Sequence, residues 1–276
     1  MGEQRRVPLR ALLAGVLDPL AEGLDPMRAP ASNTLLTPLD PAQLQAPQSG
    51  TVARSAAELA REPPVHAAVM VVLVPEQGVA QPCDLGRSLR VILTLRRADL
   101  RRHAGEVSLP GGRRERHDAD LLQTALRESE EELGLERSRL TPLGALAPAR
   151  TIATNYLVSP FVSLLALDDR AGGGAAAARP PASGARRATQ GAACGLLAAL
   201  QLRPQPGEVA AVLAPTLAEI SSGRGERQLT RRGISFRTPV YAVGEQIVWG
   251  LTYRVLSDLL ERLLARAPDR AREQVP

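Results

Sequence analysis

LPGGRRERHDADLLQTALRESEEELGL, residues 109–135, carries the reading of this chain. It opens on a Pro-Gly-Gly turn and ends on a segment with four glutamates among the five residues 128–132. Leu121, Leu122, Ala125, Leu126 and Leu133 recur at helical spacing and form one apolar stripe. Positions i, i+3 and i+4 share a helix face, so Glu128, Glu131 and Glu132 lie together while Glu130 points elsewhere. Three carboxylates on one face repel one another and cost helix stability unless a cation sits among them. Hard divalent ions such as Mg²⁺ and Mn²⁺ take oxygen ligands, typically carboxylates completed by water and phosphate. The spacing predicts a packed helix from about Ala119 to Leu133 that presents a metal-binding face. Asp118 is expected as its N-cap and Gly134 as its stop. Arg127 is expected to pair with one of the acids and orient it.

Working outward, HAAVMVVLVP from His66 is a continuous apolar run of strand length, which suits a buried strand. Arg90–Arg97 reads as a second strand, and Glu106–Leu109 as a short extended piece leading into the turn. RLTPLGAL and NYLVSPFVSLLAL are further strand-like runs. GEVAAVLAPTLAEI follows, then PVYAV and QIVWGL as a hairpin pair and a last helix at about Leu251–Arg266. The order of elements gives a mixed α/β domain over residues 65–268. Residues 1–64 read as an N-terminal extension, with helical pieces at Leu9–Leu24 and Val52–Arg61 and a Pro/Ser/Thr-rich linker between them. Residues 170–198 are low-complexity and read as a flexible insertion, and 269–276 as a disordered tail.

Composition narrows the classes. The chain has 276 residues, 44% of them apolar and only 2% aromatic, so its core is expected to be aliphatic. Its net charge of +5 rests on arginine alone, for there is no lysine. The arginines are scattered, which fits base-composition bias better than a nucleic-acid surface, and no nucleic-acid partner is expected. Cys83 and Cys194 fit neither a disulfide framework nor a metal spacing, and a reducing, cytoplasmic setting is the expectation. No run has membrane-spanning length, and VPLRALLAGVL at 7–17 is interrupted by Arg10, so neither a membrane anchor nor secretion is expected. The three histidines are dispersed and suggest no His-based metal site, and Trp249 is expected in the core.

The opening stretch resembles the Nudix box, Gly-x₅-Glu-x₇-Arg-Glu-apolar-x-Glu-Glu-x-Gly-apolar. Gly112, Arg127, Glu128, Glu131, Glu132, Gly134 and Leu135 fall on it. Asp118 stands where the leading Glu is usual, the stretch from it to Arg127 is one residue longer, and Ser129 replaces an apolar residue. Upstream, LTLRRADLRRHAGEVSLPGG at 93–112 is similar to the motif of the coenzyme A diphosphatase branch of that family. Leu93, Thr94, Arg96, Arg101, Gly105, Pro110, Gly111 and Gly112 match it; Arg97 and Leu109 depart.

The resemblance implies an α/β/α sandwich with a mixed sheet, here with the extension and the insertion added. It implies metal-dependent hydrolysis of the diphosphate bond of coenzyme A or an acyl-CoA, giving 3′,5′-ADP and 4′-phosphopantetheine or its acyl derivative. Glu128, Glu131 and Glu132 would hold Mg²⁺ or Mn²⁺ and, with Arg127, form the catalytic set. Arg96 and Arg101, suited to phosphate by their forked guanidinium, and Gly111 and Gly112, suited to close approach, would bind substrate. Asp118 is a weaker candidate, as is Glu208, which is read as an extra ligand, a general base or a surface residue. Two other readings stay open: hydrolysis of a different nucleoside diphosphate derivative, such as a dinucleotide, nucleotide sugar or capped RNA, and a non-catalytic nucleotide- or RNA-binding domain. A mitochondrial or peroxisomal site is the alternative location in a eukaryote.

Overall fold

The computed structural model describes residues 9–20, 63–75, 85–100, 102–151, 155–166, 200–231 and 234–265. The insertion at 170–198, the piece at Val52–Arg61, the tail at 269–276, both cysteines and Arg101 lie outside them.

The apolar run from His66 forms β1 (Val65–Pro75), and its continuity has a cause. Successive side chains of a strand point to opposite faces. Here Ala67, Val69, Val71 and Leu73 enter one apolar cluster while Ala68, Met70, Val72 and Val74 enter another. Both faces are covered, so no polar residue is required in alternation. β1 pairs in parallel with β8 (Tyr156–Leu165), the register running from Val65↔Tyr156 to Leu73↔Leu164. Antiparallel to β1 run β2 (Leu89–Val91) and β5 (Gly111–Arg113). β6 (Leu140–Ala145) and β7 (Ala149–Arg150) flank β8, which completes a six-stranded mixed sheet.

A second sheet joins β3 (Leu93–Arg96), β4 (Val107–Ser108) and β9 (Val209–Leu213). The expected single strand Arg90–Arg97 is thus two strands in two sheets. The change of partner falls at Ile92, whose N–H still donates to Val72 of β1, whereas Leu93 already pairs with Leu213.

The glutamate-rich helix, α3 (Leu121–Leu133), covers one face of the central sheet through Leu121, Ala125, Leu126 and Leu133. The last helix, α5 (Gly250–Ala265), covers the other through Val255, Leu256 and Leu259. Two short helices, α2 (Leu85–Ser88) and α4 (Leu217–Ser222), pack against each other. The first helix, α1 (Leu9–Ala14), stops well short of the expected Leu24, because Gly15 follows and Asp18 instead pairs as a β-bridge with Ala145. Leu13 and Leu17 are buried in the cluster on the α5 face, and Arg262 of α5 holds Asp18 at 3.2 Å. Between α4 and α5 stands a third sheet, β10 (Arg224–Arg231), β11 (Ile234–Val243) and β12 (Gln246–Val248). Among the described residues no helix is long and apolar enough to cross a membrane.

Candidate active site

α3 begins two residues later than expected. Its N-cap is Asp120, whose carboxylate accepts from the Gln123 N–H at 2.7 Å. Gly134 ends it in the left-handed region, φ 66°, its N–H donating to the Glu130 carbonyl. The non-apolar residue in the box, Ser129, is fully buried and is satisfied within the helix by donating to the Ala125 carbonyl at 2.7 Å.

Asp118 is therefore not the cap. It is a buried anchor for Arg127. The guanidinium grips it twice, Nε to Oδ1 at 3.0 Å and Nη2 to Oδ2 at 3.1 Å. The Glu115 N–H and the Thr124 hydroxyl complete its shell at 2.8 and 3.0 Å. Burial alone would raise the Asp118 carboxyl, but Arg127, the Glu115 N–H and Thr124 outweigh it and hold it down at about 2. Arg127, buried in turn, reaches the Arg113 carbonyl at 3.1 Å, Glu131 at 2.9 Å and Glu128 at 3.0 Å. Arg127 does pair with the acids of the box, and it also locks the glycine turn to the helix. Glu130 does point elsewhere, to Arg137 at 2.8 Å on the surface.

The glycine pair has a mechanical reason. β5 lies between β1 and α3. A Cβ at Gly111 would collide with the backbone of Ala68 and Val69, and one at Gly112 would land on the Glu128 carboxylate. The close approach these glycines allow is to the protein's own strand and carboxylate.

Next to Glu128 the partners run out. Glu132 is 5% exposed, and its Oε2 is buried without a hydrogen bond among the described residues. Arg96 of β3 faces its Oε1 at 3.5 Å and also faces Glu208, just ahead of β9, at 3.4 Å. Burial pushes the Glu132 carboxyl up to about 8; Arg96 opposes the rise, and Glu128 and Glu208 add to it. Burial likewise raises Glu128, against Arg127 and with Glu131 and Glu208. These are the environments expected of carboxylates that need a further cation.

Their oxygen donors fit a hard divalent ion in chemistry. Their arrangement is open: among the described residues no three His, Cys, Asp or Glu side chains already surround one point. The structure brings Glu128, Glu132, Glu208 and Arg96 together and holds Glu131, largely exposed, aside against Arg127.

The model of the NUDIX domain family matches residues 64–193. Over 217 residues the chain is 32% identical to the Mitochondrial coenzyme A diphosphatase NUDT8 of Mus musculus, across 78% of this chain and 84% of that one. This chain belongs to the Nudix hydrolase family. It is also 32% identical over 175 residues to the Uncharacterized Nudix hydrolase NudL of Photorhabdus laumondii, across 63% of this chain and 76% of that one. Among solved structures, the M. smegmatis Nudix hydrolase RenU covers 74% of this chain at 16% identity, with a TM-score of 0.42. Membership makes the chain a diphosphatase with an α/β Nudix fold, of a family that works with divalent metal ions on small-molecule diphosphates.

Sequence reasoning missed Thr124 and Glu115 as supports of Asp118, since neither belongs to a periodic pattern. It misplaced Trp249. That residue follows the buried Val248 where β12 ends and is only partly buried, against Phe236 at 5.7 Å between ring centres and under Arg231 at 5.4 Å. His103 and His117 are surface residues beside Glu106 and Glu115.

Proposed function

We propose that the chain hydrolyses the diphosphate bond of coenzyme A or an acyl-CoA, releasing 3′,5′-ADP and 4′-phosphopantetheine or its acyl derivative. One observation carries the reading. The motif at 93–112 and the box helix meet in a single site: Arg96 stands between Glu132 and Glu208, and Gly112 lies against Glu128. The printed name of the mouse relative supports the same substrate.

Glu128, Glu132 and Glu131 are assigned to hold Mg²⁺ or Mn²⁺, with Glu131 leaving Arg127 to do so. A divalent cation, when bound, neutralises diphosphate charge and activates water. Arg96, whose Nε is buried without a partner among the described residues, donates to phosphate oxygens and orients the diphosphate over the carboxylates. Arg101 is assigned the same role on the motif alone. Arg127, spent on Asp118 and the acids, positions the helix and does not touch substrate. Glu208, partly exposed at the rim, is assigned to take the proton of the attacking water or to serve as an additional ligand. The catalytic domain is assigned to residues 65–268. The location is assigned to the cytoplasm, with the mitochondrion the alternative suggested by the mouse relative's name.

The test is a substrate panel of coenzyme A, acetyl-CoA, a dinucleotide, a nucleotide sugar and capped RNA, each with Mg²⁺, Mn²⁺ or chelator. Metal-dependent release of 3′,5′-ADP from coenzyme A, lost in Glu131→Gln, is the expected result. Turnover of another member alone would reassign the substrate. Failure on every member would leave a binding role.

A further inference from the structure

A chain with one tryptophan and two phenylalanines has little aromatic surface to spend. Phe161 is buried in the core. Trp249 and Phe236 instead stand together, Phe236 in the turn half of the β10–β11 hairpin and Trp249 just past β12, both only partly buried, their rings 5.7 Å apart and inclined at 49°. The Arg231 guanidinium lies 5.4 Å from the centre of the indole. The cluster is tied to the site already described. Arg231 Nε is 3.7 Å from Glu106 Oε1, whose other oxygen faces His103 Nδ1 at 2.8 Å. The backbone carbonyl of Glu106 accepts the N–H of Arg96 at 2.9 Å. Glu106 therefore links Arg231, which lies over the indole, to the backbone of the arginine that stands between Glu132 and Glu208. β10 is exposed along nearly its whole length, and neither Trp249 nor Phe236 packs into the two apolar clusters of the core.

An aromatic pair left at the surface beside an arginine, next to a diphosphate site, has the chemistry of a stacking platform. Every nucleobase offers a π-face, and an arginine at its edge suits a ribose phosphate. We propose that Trp249 and Phe236 form the nucleobase subsite of this enzyme and that Arg231, released from Glu106, pairs with a phosphate on the ribose of the stacked nucleotide. The proposal rests on the reading of the substrate as a nucleoside diphosphate derivative. It adds where the base sits and which hairpin selects it.

Because Trp249 is the chain's single tryptophan, its emission reports on this place alone. The experiment titrates the full-length protein, without metal, with 3′,5′-ADP, 5′-AMP, 4′-phosphopantetheine and inorganic pyrophosphate. The expected result is a saturable change in emission with the two nucleotides and none with the base-free compounds. Arg231→Gln should erase the preference for 3′,5′-ADP over 5′-AMP. In turnover, Trp249→Leu should raise KM for the nucleotide substrate about ten-fold or more with kcat nearly unchanged, and Trp249→Phe should restore most of it. Phe236→Leu gives a second reading should the Trp249 variant not fold. An emission change that pyrophosphate reproduces, or none with any nucleotide in a protein that hydrolyses coenzyme A, would overturn the subsite and leave the activity standing. Nucleotide-dependent quenching in a protein that hydrolyses nothing on the panel would keep the subsite and remove the activity.

Discussion

Asp118, in the loop before α3, and Glu132, in its last turn, are buried to the same degree, each 5% exposed, and burial pushes both carboxyls upward. One ends at about 2 and the other at about 8. The difference is partners. Asp118 accepts twice from one edge of a guanidinium, and from a backbone N–H and a hydroxyl, so its charge is fully met inside the fold. Glu132 has one arginine at 3.5 Å, shared with Glu208, the backbone of Gly111, and a second oxygen with no hydrogen bond among the described residues. The first is a structural acid and the second waits for a ligand. Arg127 is the hinge between the two roles, since it spends one side on the anchor and the other on Glu128 and Glu131.

The largest expected effect breaks the anchor. Asp118→Ala strands a buried guanidinium, and denaturant unfolding should show a loss of about 3–5 kcal/mol. An unchanged midpoint would mean that Asp118 is no anchor. Glu132→Gln works the other way. It removes a buried carboxyl whose ionisation the fold opposes, so stability in chelator should hold or rise, while metal-dependent turnover falls at least about 100-fold. Retained turnover in a folded Glu132→Gln would take Glu132 out of the site.

The two acids also differ in sign with pH. Glu132 has its carboxyl raised from 4.5 to about 8, so between those values the folded chain keeps a proton that the unfolded chain has released. Its contribution to stability is present below about 4.5 and is lost as pH rises to about 8. Asp118, lowered from 3.8 to about 2, contributes stability above 3.8 that is lost as pH falls through 2. Urea unfolding in chelator at pH 5 and pH 8 should show the wild type losing more stability on the alkaline side than Glu132→Gln; equal losses would assign the effect to another group. The smallest effect is the control. Glu130→Gln removes an exposed pair with Arg137 and should change stability by less than about 1 kcal/mol and turnover hardly at all.

How much of this was legible depended on periodicity. The stripe and acidic face of α3 obey the 3.6-residue repeat, and Glu130 pointing away followed from the same count. β1 showed itself as an unbroken apolar run because clusters cover both its faces. Where no repeat operates, the reading slipped. The loop before α3 carries Asp118 by an irregular path, and only coordinates could move the cap to Asp120 and give Asp118 to Arg127. The switch of sheets at Ile92 leaves no mark, since no turn residue interrupts the strand-like run on either side of it. β10 offered no alternation because neither face is covered, so the hairpin that carries Arg231 was seen only in its second half.

The parallel pairing of β1 with β8 has a kinetic consequence. Its partners, such as Val65 and Tyr156, are separated by a stretch of chain that contains the motif at 93–112 and the whole box helix. Contacts of such long sequence separation close late, because loop-closure entropy must be met before the pairing returns anything. α3 packs on β1 and β8 and has its full apolar seat only when those strands are side by side. The acidic helix and the central pairing therefore lock in one event, and a chain still folding does not expose a working cluster of carboxylates before its sheet has closed.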